Sequence, residues 1–417
     1  MSDWAIAARG LTCPPLVLSL PLSYLNPSPF IRTSKQLGTV SRCMRNFRGS
    51  EPMKTGDREY FFDELKSAAD RVANYLLADR FLQRFRPSDI LDAVTLYVQS
   101  GGKRLRPAIL LWSCGALGGD PEVALPAASA VEIFHTWTLI HDDILDRDDR
   151  RRGSQTVHER FRHIAHSRNG ELPDRENLHY GVSVAILAGD VQHGWGVTML
   201  TELNERYGVD PDVTLHLIER LDNDVLNLLV EGELLDIQYT YQPVEALTLE
   251  AIEEMLWKKT GILYRFCAHA GGMIGLGRVE PEHPQLIALE EFASRCGLAF
   301  QLQDDVLGVI GDPNTLGKPV GNDIREGKRT ALIHFAWQEA DAHERETIRS
   351  CLGNVHAPEA EVRRVIEILE RRGAIEMTRK RARELVEEAL PMLDALPVTR
   401  HRELLRSWGE FMIARED

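Results

Sequence analysis

From Tyr60 onward, apolar residues return at intervals of three and four, as in Leu65, Ala68, Ala69, Val72, Leu76 and Leu77. That spacing is one face of an α-helix. Prolines punctuate the periodic segments at Pro121, Pro211, Pro243, Pro281 and Pro313. No stretch alternates apolar and polar positions long enough for a half-buried strand. The pattern predicts an all-α protein, a single large helical domain over residues 56–417. Residues 162–179, with HSRNGELPDREN at their centre, lack the period and are expected to form a surface loop or insertion.

Residues 1–55 look different. Through Pro52 there are six basic residues (Arg9, Arg32, Lys35, Arg42, Arg45, Arg48) and two acidic ones (Asp3, Glu51), a net +4 that leaves −18 for the remainder. The segment is rich in Ser and Pro and has no helical period. A disordered extension is the first reading and an organelle transit peptide the second, since transit peptides are also basic and acid-poor. Met44 and Met53 keep open a third, a start site placed too far upstream.

Composition narrows the function. Of 417 residues 43% are hydrophobic and 27% charged, ordinary usage for a globular enzyme. A formal charge of −14 argues against a nucleic-acid partner, which needs a basic face. No run of about 18 apolar residues offers a membrane span. The six cysteines (13, 43, 114, 267, 296, 351) show no paired spacing and read as reduced thiols of a cytoplasmic protein, with organelle targeting by the extension as the alternative.

Two aspartate clusters, each ending an apolar stretch, carry the chemistry: LIHDDILD at 139–146 and FQLQDDVLG at 300–308. Asp142 and Asp146 lie four apart, so on a helix they stack one turn above the other, about 5.4 Å along the axis. Carboxylates at the edge of an apolar wall are costly unless cations meet them. Two such clusters point to a cavity where acids on two helices face each other across hard cations. Mg²⁺ suits, because it takes oxygen ligands and keeps places open for phosphates. The competing reading is two solvated helix ends.

Basic motifs tip the balance. GGKRLRP at 101–107 puts three cations behind a glycine pair, RRRG follows the first acidic cluster at 150–153, and GKP (317–319) and DIREGK (323–328) follow the second. Glycine lets backbone approach an anion, and arginine grips phosphate through a planar fork. One such run is usually a solvated face. Four beside two aspartate pairs form what a magnesium diphosphate needs.

These motifs, with AGD at 188–190 and KT at 259–260, make the chain from about residue 60 resemble the trans-isoprenyl diphosphate synthases, the farnesyl and geranylgeranyl type. The resemblance implies a helical bundle around a deep central cavity, a homodimer, and three Mg²⁺ between the aspartate motifs. Asp142 and Asp146 would bind two magnesium ions on the allylic diphosphate with support from Asp143. Asp304 would hold the third, with Asp305 beside it. Arg151, Lys259 and Lys328 resemble the cations on that same diphosphate, with Lys318 a further candidate. Lys103, Arg106, His135 and Arg152 resemble the pocket for isopentenyl diphosphate. The Lys259 carbonyl, Thr260 and Gln301 would lie against the developing carbocation.

The family's second motif often carries an aspartate where this chain has Gly308, which removes one possible ligand. Two positions would set product length. On an ideal helix Thr138 lies nearly in line with Asp142, whereas Trp137 is rotated by about 140°. The resemblance treats both as pocket floor. A bulky Trp137 beside a small Thr138 favours a twenty-carbon product over fifteen, with a tryptophan packed only against a neighbouring helix as the alternative.

Other motifs read as structure. The histidines of HERFRH at 158–163 are five apart, which misses the geometry of a zinc-binding helix. GGMIGLG at 271–277 follows no strand, so a close helix contact is expected there rather than a dinucleotide site. A class I terpene cyclase needs no second diphosphate pocket, which the intact GGKRLRP supplies here. A non-catalytic subunit of a heteromeric synthase would be free to lose the aspartates that this chain keeps.

Overall fold

Seventeen α-helices account for most of the described residues, which in this computed structural model are 55–168, 170–171, 173–311 and 320–414. The expected N-terminal extension and Lys318 lie outside them. Helices α1 (Thr55–Leu77), α2 (Ser88–Gln99), α3 (Leu105–Ala116) and α4 (Leu125–Leu145) lead to a short hairpin, β1 (Arg150–Arg151) with β2 (Ser154–Gln155). Then come α5 (Val157–Arg168), α6 (Asp174–Tyr207), α7 (Pro211–Glu219), α8 (Leu226–Thr240) and α9 (Leu249–Leu256). Next are α10 (Ile262–Leu276), α11 (Pro284–Ile310), α12 (Asn322–Glu326) and α13 (Ala331–Glu339). Helices α14 (Ala342–Cys351), α15 (Glu359–Arg371), α16 (Ala374–Ala389) and α17 (Arg400–Ala414) complete the order.

Helix α4 packs on α3 and α6, and α10 packs between α3 and α11. The main core runs through all of them, with Phe134, Trp195, Tyr264, Phe292 and Trp408 among its buried residues. A second cluster joins the end of α11 to α12–α15 through Val306, Ile324, Trp337, Ile348 and Val365. The α3–α10 contact depends on the expected close approach: a side chain at Gly271 would run into the Leu110 carbonyl. Among the described residues no helix is long and apolar enough to cross a membrane.

Residues 162–179 are not the long loop expected. Helix α5 continues to Arg168 and α6 begins at Asp174. Arg162 grips Asp174 at 3.0 and 2.6 Å, and Arg168 grips Asp89 at 2.6 and 2.9 Å. Ion pairs tie these ends, and only Ile164 and Ala165 between Arg162 and Arg168 are apolar, so the period is weak there.

Candidate active site

Helix α4 delivers the first acidic cluster at its C-terminus, where Asp142 and Asp143 close the last turn and Asp146 caps it. Asp143 is fully buried, held by the Tyr97 hydroxyl and by Arg151 Nε at 2.5 Å. Burial, only partly offset by Arg151, raises its carboxyl to about 6. Arg151 also donates to Asp142 Oδ2 at 3.0 Å. The arginine comes from the hairpin, whose turn residues Arg152 and Gly153 have φ of 52° and 76°. Two residues in this left-handed region make the tight antiparallel turn.

Two lysines draw further carboxylates into the site. Lys259 Nζ lies 2.8 Å from Asp236 Oδ2, 2.9 Å from Glu233 Oε2 and 3.4 Å from Asp142 Oδ1. Lys328 Nζ lies 2.8 Å from both Asp146 Oδ1 and Asp236 Oδ2. Burial works against the charge on Lys259, but Asp236, Asp142 and Glu233 outweigh it and hold its pKa well above the usual value. Burial also opposes ionisation of Asp236, yet the two lysines keep that carboxyl below its ordinary range. Lys259 and Thr260 sit in a π-helical turn, Trp257–Gly261, a local widening that recurs at functional sites. Gly232 lets α8 approach that turn, since a Cβ there would strike the Lys259 backbone nitrogen.

The second cluster lies on α11. Thr260 Oγ1 donates to Gln301 Oε1 at 3.0 Å, and Gln301 Nε2 donates to Asp305 Oδ1 at 3.0 Å. Burial pushes Asp305 well above the usual carboxylate range, with Asp323, Asp304 and Asp236 adding to it. Asp236 is thereby in electrostatic reach of both clusters. At Gly308 a Cβ would lie 3.4 Å from Asp323 Oδ2, so a carboxylate from another element stands beside the position where the family often has one. Glu326 on α12 is raised to about 8, by burial first and Asp146 next.

A basic pocket adjoins the α4 face. Gly101 and Gly102 have φ of 79° and 138°, and Arg104 follows at 45°. That turn sends Arg104 inward, where it pairs with buried Glu132 at 3.2 Å and donates to the Val98 carbonyl at 2.6 Å. Arg104 is therefore a strut. Arg106 Nη1 lies 3.1 Å from His135 Nε2, and Arg152 donates to the Gly101 carbonyl. Burial, with Arg106 and Arg152 beside it, holds His135 well below the usual imidazole range and so neutral. Thr138 donates to the His135 carbonyl at 2.8 Å. Trp137 is nearly buried against Phe134, His141 and His193.

Glu233 and Asp236 were not singled out from sequence. In EGELLD they resemble the polar side of a helix, and only their lysine partners distinguish them. The acids fit a hard divalent cation: the donors are all carboxylate oxygens, and buried Asp305 Oδ2 has no hydrogen-bond partner among the described residues. Among those residues, no three acidic, histidine or cysteine side chains stand grouped as a ready-made ion site. Asp142 and Asp146 are instead engaged by Arg151, Lys259 and Lys328.

The polyprenyl synthetase family model matches residues 88–369. The short chain isoprenyl diphosphate synthase of Methanothermobacter thermautotrophicus is 36% identical over 330 residues, 79% of this chain and 91% of that protein. The geranylgeranyl diphosphate synthase of Saccharolobus solfataricus is 31% identical over 366 residues, 87% of this chain and 99% of that protein. The crystal structure of geranylgeranyl pyrophosphate synthase from Corynebacterium glutamicum, complexed with isoprenyl diphosphate and magnesium, superposes with a TM-score of 0.71 at 32% identity. That match covers 86% of this chain and 99% of that one. With the acidic clusters, lysines and basic pocket arranged as above, these matches make this chain a member of the polyprenyl synthetase family of prenyltransferases.

Proposed function

We propose that the protein joins isopentenyl diphosphate to an allylic diphosphate and releases geranylgeranyl diphosphate as its main product. The observation that carries this reading is the convergence of Asp142 and Asp146 with Asp236 through Lys259 and Lys328. Three Mg²⁺ would be held by Asp142 and Asp146 on one side and by Asp304, Asp305 and Asp323 on the other. Bound there, they neutralise charge on the departing diphosphate.

Arg151, Lys259 and Lys328 act on the same charge through fixed ammonium and guanidinium groups, with no proton to move. Heterolysis of the allylic C1–O bond gives an allyl cation and diphosphate. Thr260, Gln301 and the Lys259 carbonyl present oxygen dipoles to that cation. Lys103, Arg106, His135 and Arg152 hold the isopentenyl diphosphate, whose double bond attacks C1. Loss of one proton completes a product five carbons longer, and the released diphosphate is a sufficient acceptor for it.

A homodimer is part of the proposal. Tyr180, Ile186 and Leu187 leave an apolar face on α6, exposed by 37%, 45% and 54%. Incubation with Mg²⁺, labelled isopentenyl diphosphate and dimethylallyl, geranyl or farnesyl diphosphate tests the reading, with chain-length analysis of the products. Isopentenyl label that enters no product, with the allylic diphosphate either untouched or turned by itself into a cyclised hydrocarbon, overturns it.

A further inference from the structure

Lys103 and Arg106 both rest on aromatic rings that belong to helix α17 or lean on it. Lys103 Nζ lies 5.6 Å from the centroid of Phe411. The Arg106 guanidinium lies 4.5 Å from the centroid of Tyr264. Tyr264 in turn stacks on Trp408, with centroids 5.4 Å apart and planes 29° apart. Trp408 and Phe411 are three residues apart on α17 and so share one face.

The rings are fixed from behind. Phe411 meets Phe61 at 5.6 Å and Phe62 at 5.4 Å, both on α1. Trp408 is fully buried and meets Phe292 edge-on at 5.6 Å. A side chain at Gly297 would come within 2.7 Å of the Tyr264 ring, so glycine there makes room for it. A ring face attracts a cation through its quadrupole without adding a negative charge. It orients the cation without supplying a counter-charge. Arg106 Nε is moreover buried with no hydrogen-bond partner among the described residues, so the fork retains a donor.

We infer that α17 is a working part of the isopentenyl diphosphate pocket: Phe411 positions Lys103, and the Tyr264–Trp408 stack positions Arg106. The inference rests on the assignment of those two cations to that substrate. It makes Tyr264, Trp408 and Phe411 positioning residues, acting through the cations and not on the reacting carbons.

The test uses the full-length protein and separates the two substrates. Tyr264→Leu and Phe411→Leu should each raise KM for isopentenyl diphosphate about 3- to 30-fold. The KM for the allylic primer and the rate of allylic diphosphate ionisation without isopentenyl diphosphate should stay near wild type. Tyr264→Phe, which keeps the ring, should restore KM. In an Arg106→Ala background the effect of Tyr264→Leu should vanish, and Lys103→Ala should likewise absorb that of Phe411→Leu. Unchanged KM in both leucine variants, equal rises for both substrates, or additive effects in the double variants would overturn the inference. If Tyr264→Leu does not fold, the Phe411 and Lys103 pair carries the test alone. A wild-type protein that consumes no isopentenyl diphosphate overturns the functional reading itself, and this inference with it.

Discussion

Asp236 Oδ2 and Lys328 Nζ stand 2.8 Å apart, and the same oxygen lies 2.8 Å from Lys259 Nζ. One carboxylate thus sets the separation of two ammonium groups proposed to meet the departing diphosphate. Asp236→Asn keeps the shape and removes the charge that holds both lysines. We expect kcat/KM for the allylic substrate to fall about 10- to 100-fold, the range for residues that orient a reacting group. Helical content by circular dichroism should not change. Wild-type kinetics would leave Asp236 a packing residue.

Metal dependence should be two-sided. Asp142→Ala and Asp304→Ala should each lower turnover by about 10²- to 10³-fold at saturating Mg²⁺, because charge on the leaving group goes uncompensated. The fold should survive, since neither residue is a core contact. Titrating Mg²⁺ against turnover checks both. Near-normal rates in both variants would remove the proposed ions from the reaction.

Much of this site was legible in the sequence, and the reason is spacing. Asp142 and Asp146 show themselves because an i, i+4 acid pair ends an apolar helix, and Asp304 because it repeats that context. Asp236 does not, since its partners Lys259 and Lys328 are 23 and 92 residues away and nothing local distinguishes EGELLD from a solvated helix face. Arg104 misleads in the other direction. It belongs to the first basic motif of the chain, yet its backbone turns it inward onto Glu132. The helical continuity of residues 162–168 was hard to see because only Ile164 and Ala165 there are apolar, and ion pairs from Arg162 and Arg168 add to their contacts.

The two diphosphate pockets should separate kinetically. Lys103 and Arg106 are proposed to touch only the nucleophile's diphosphate, so Lys103→Ala and Arg106→Ala should raise KM for isopentenyl diphosphate by about 10-fold or more while ionisation persists. Lys328→Ala should slow ionisation of the allylic substrate instead. Steady-state kinetics with each substrate varied in turn decides this. The reverse pattern would exchange the two assignments.

Stability should lean on Glu344. It completes a capping box with Asp341 at the start of α14 and meets Arg371 and Arg372, each at 2.6 Å. Hydrogen bonds from Arg372 and then Arg371 hold its carboxyl at about 2, against 4.5 when unperturbed. A depressed folded-state value means that the stabilisation is complete above pH 4.5 and is lost as pH falls toward 2. Glu344→Gln should cost about 1–2 kcal/mol at pH 7. The gap in melting temperature from wild type should narrow steadily below pH 4.5. A gap independent of pH would show that packing, not charge, is what the substitution removes.

Product length should respond to Trp137 and Thr138 in opposite senses. Trp137 is pressed between Phe134 on its own helix, at 4.9 Å, and His193 of α6, at 5.4 Å. His193 is itself held by Asp222 at 2.7 Å, so the indole is braced from behind. If that braced ring walls the cavity, Trp137→Ala opens it and shifts products beyond twenty carbons. The deletion costs about 3–5 kcal/mol, so the variant is best assayed at reduced temperature. Thr138 lies one helical turn before Asp142 on the same face, the proposed path of a chain growing toward the start of α4. Thr138→Phe should therefore block that path and shorten the product to fifteen carbons. Chromatography of the dephosphorylated products reads both. An unchanged distribution in Trp137→Ala, with shortening in Thr138→Phe, would assign length control to the Asp142 face and return Trp137 to the core.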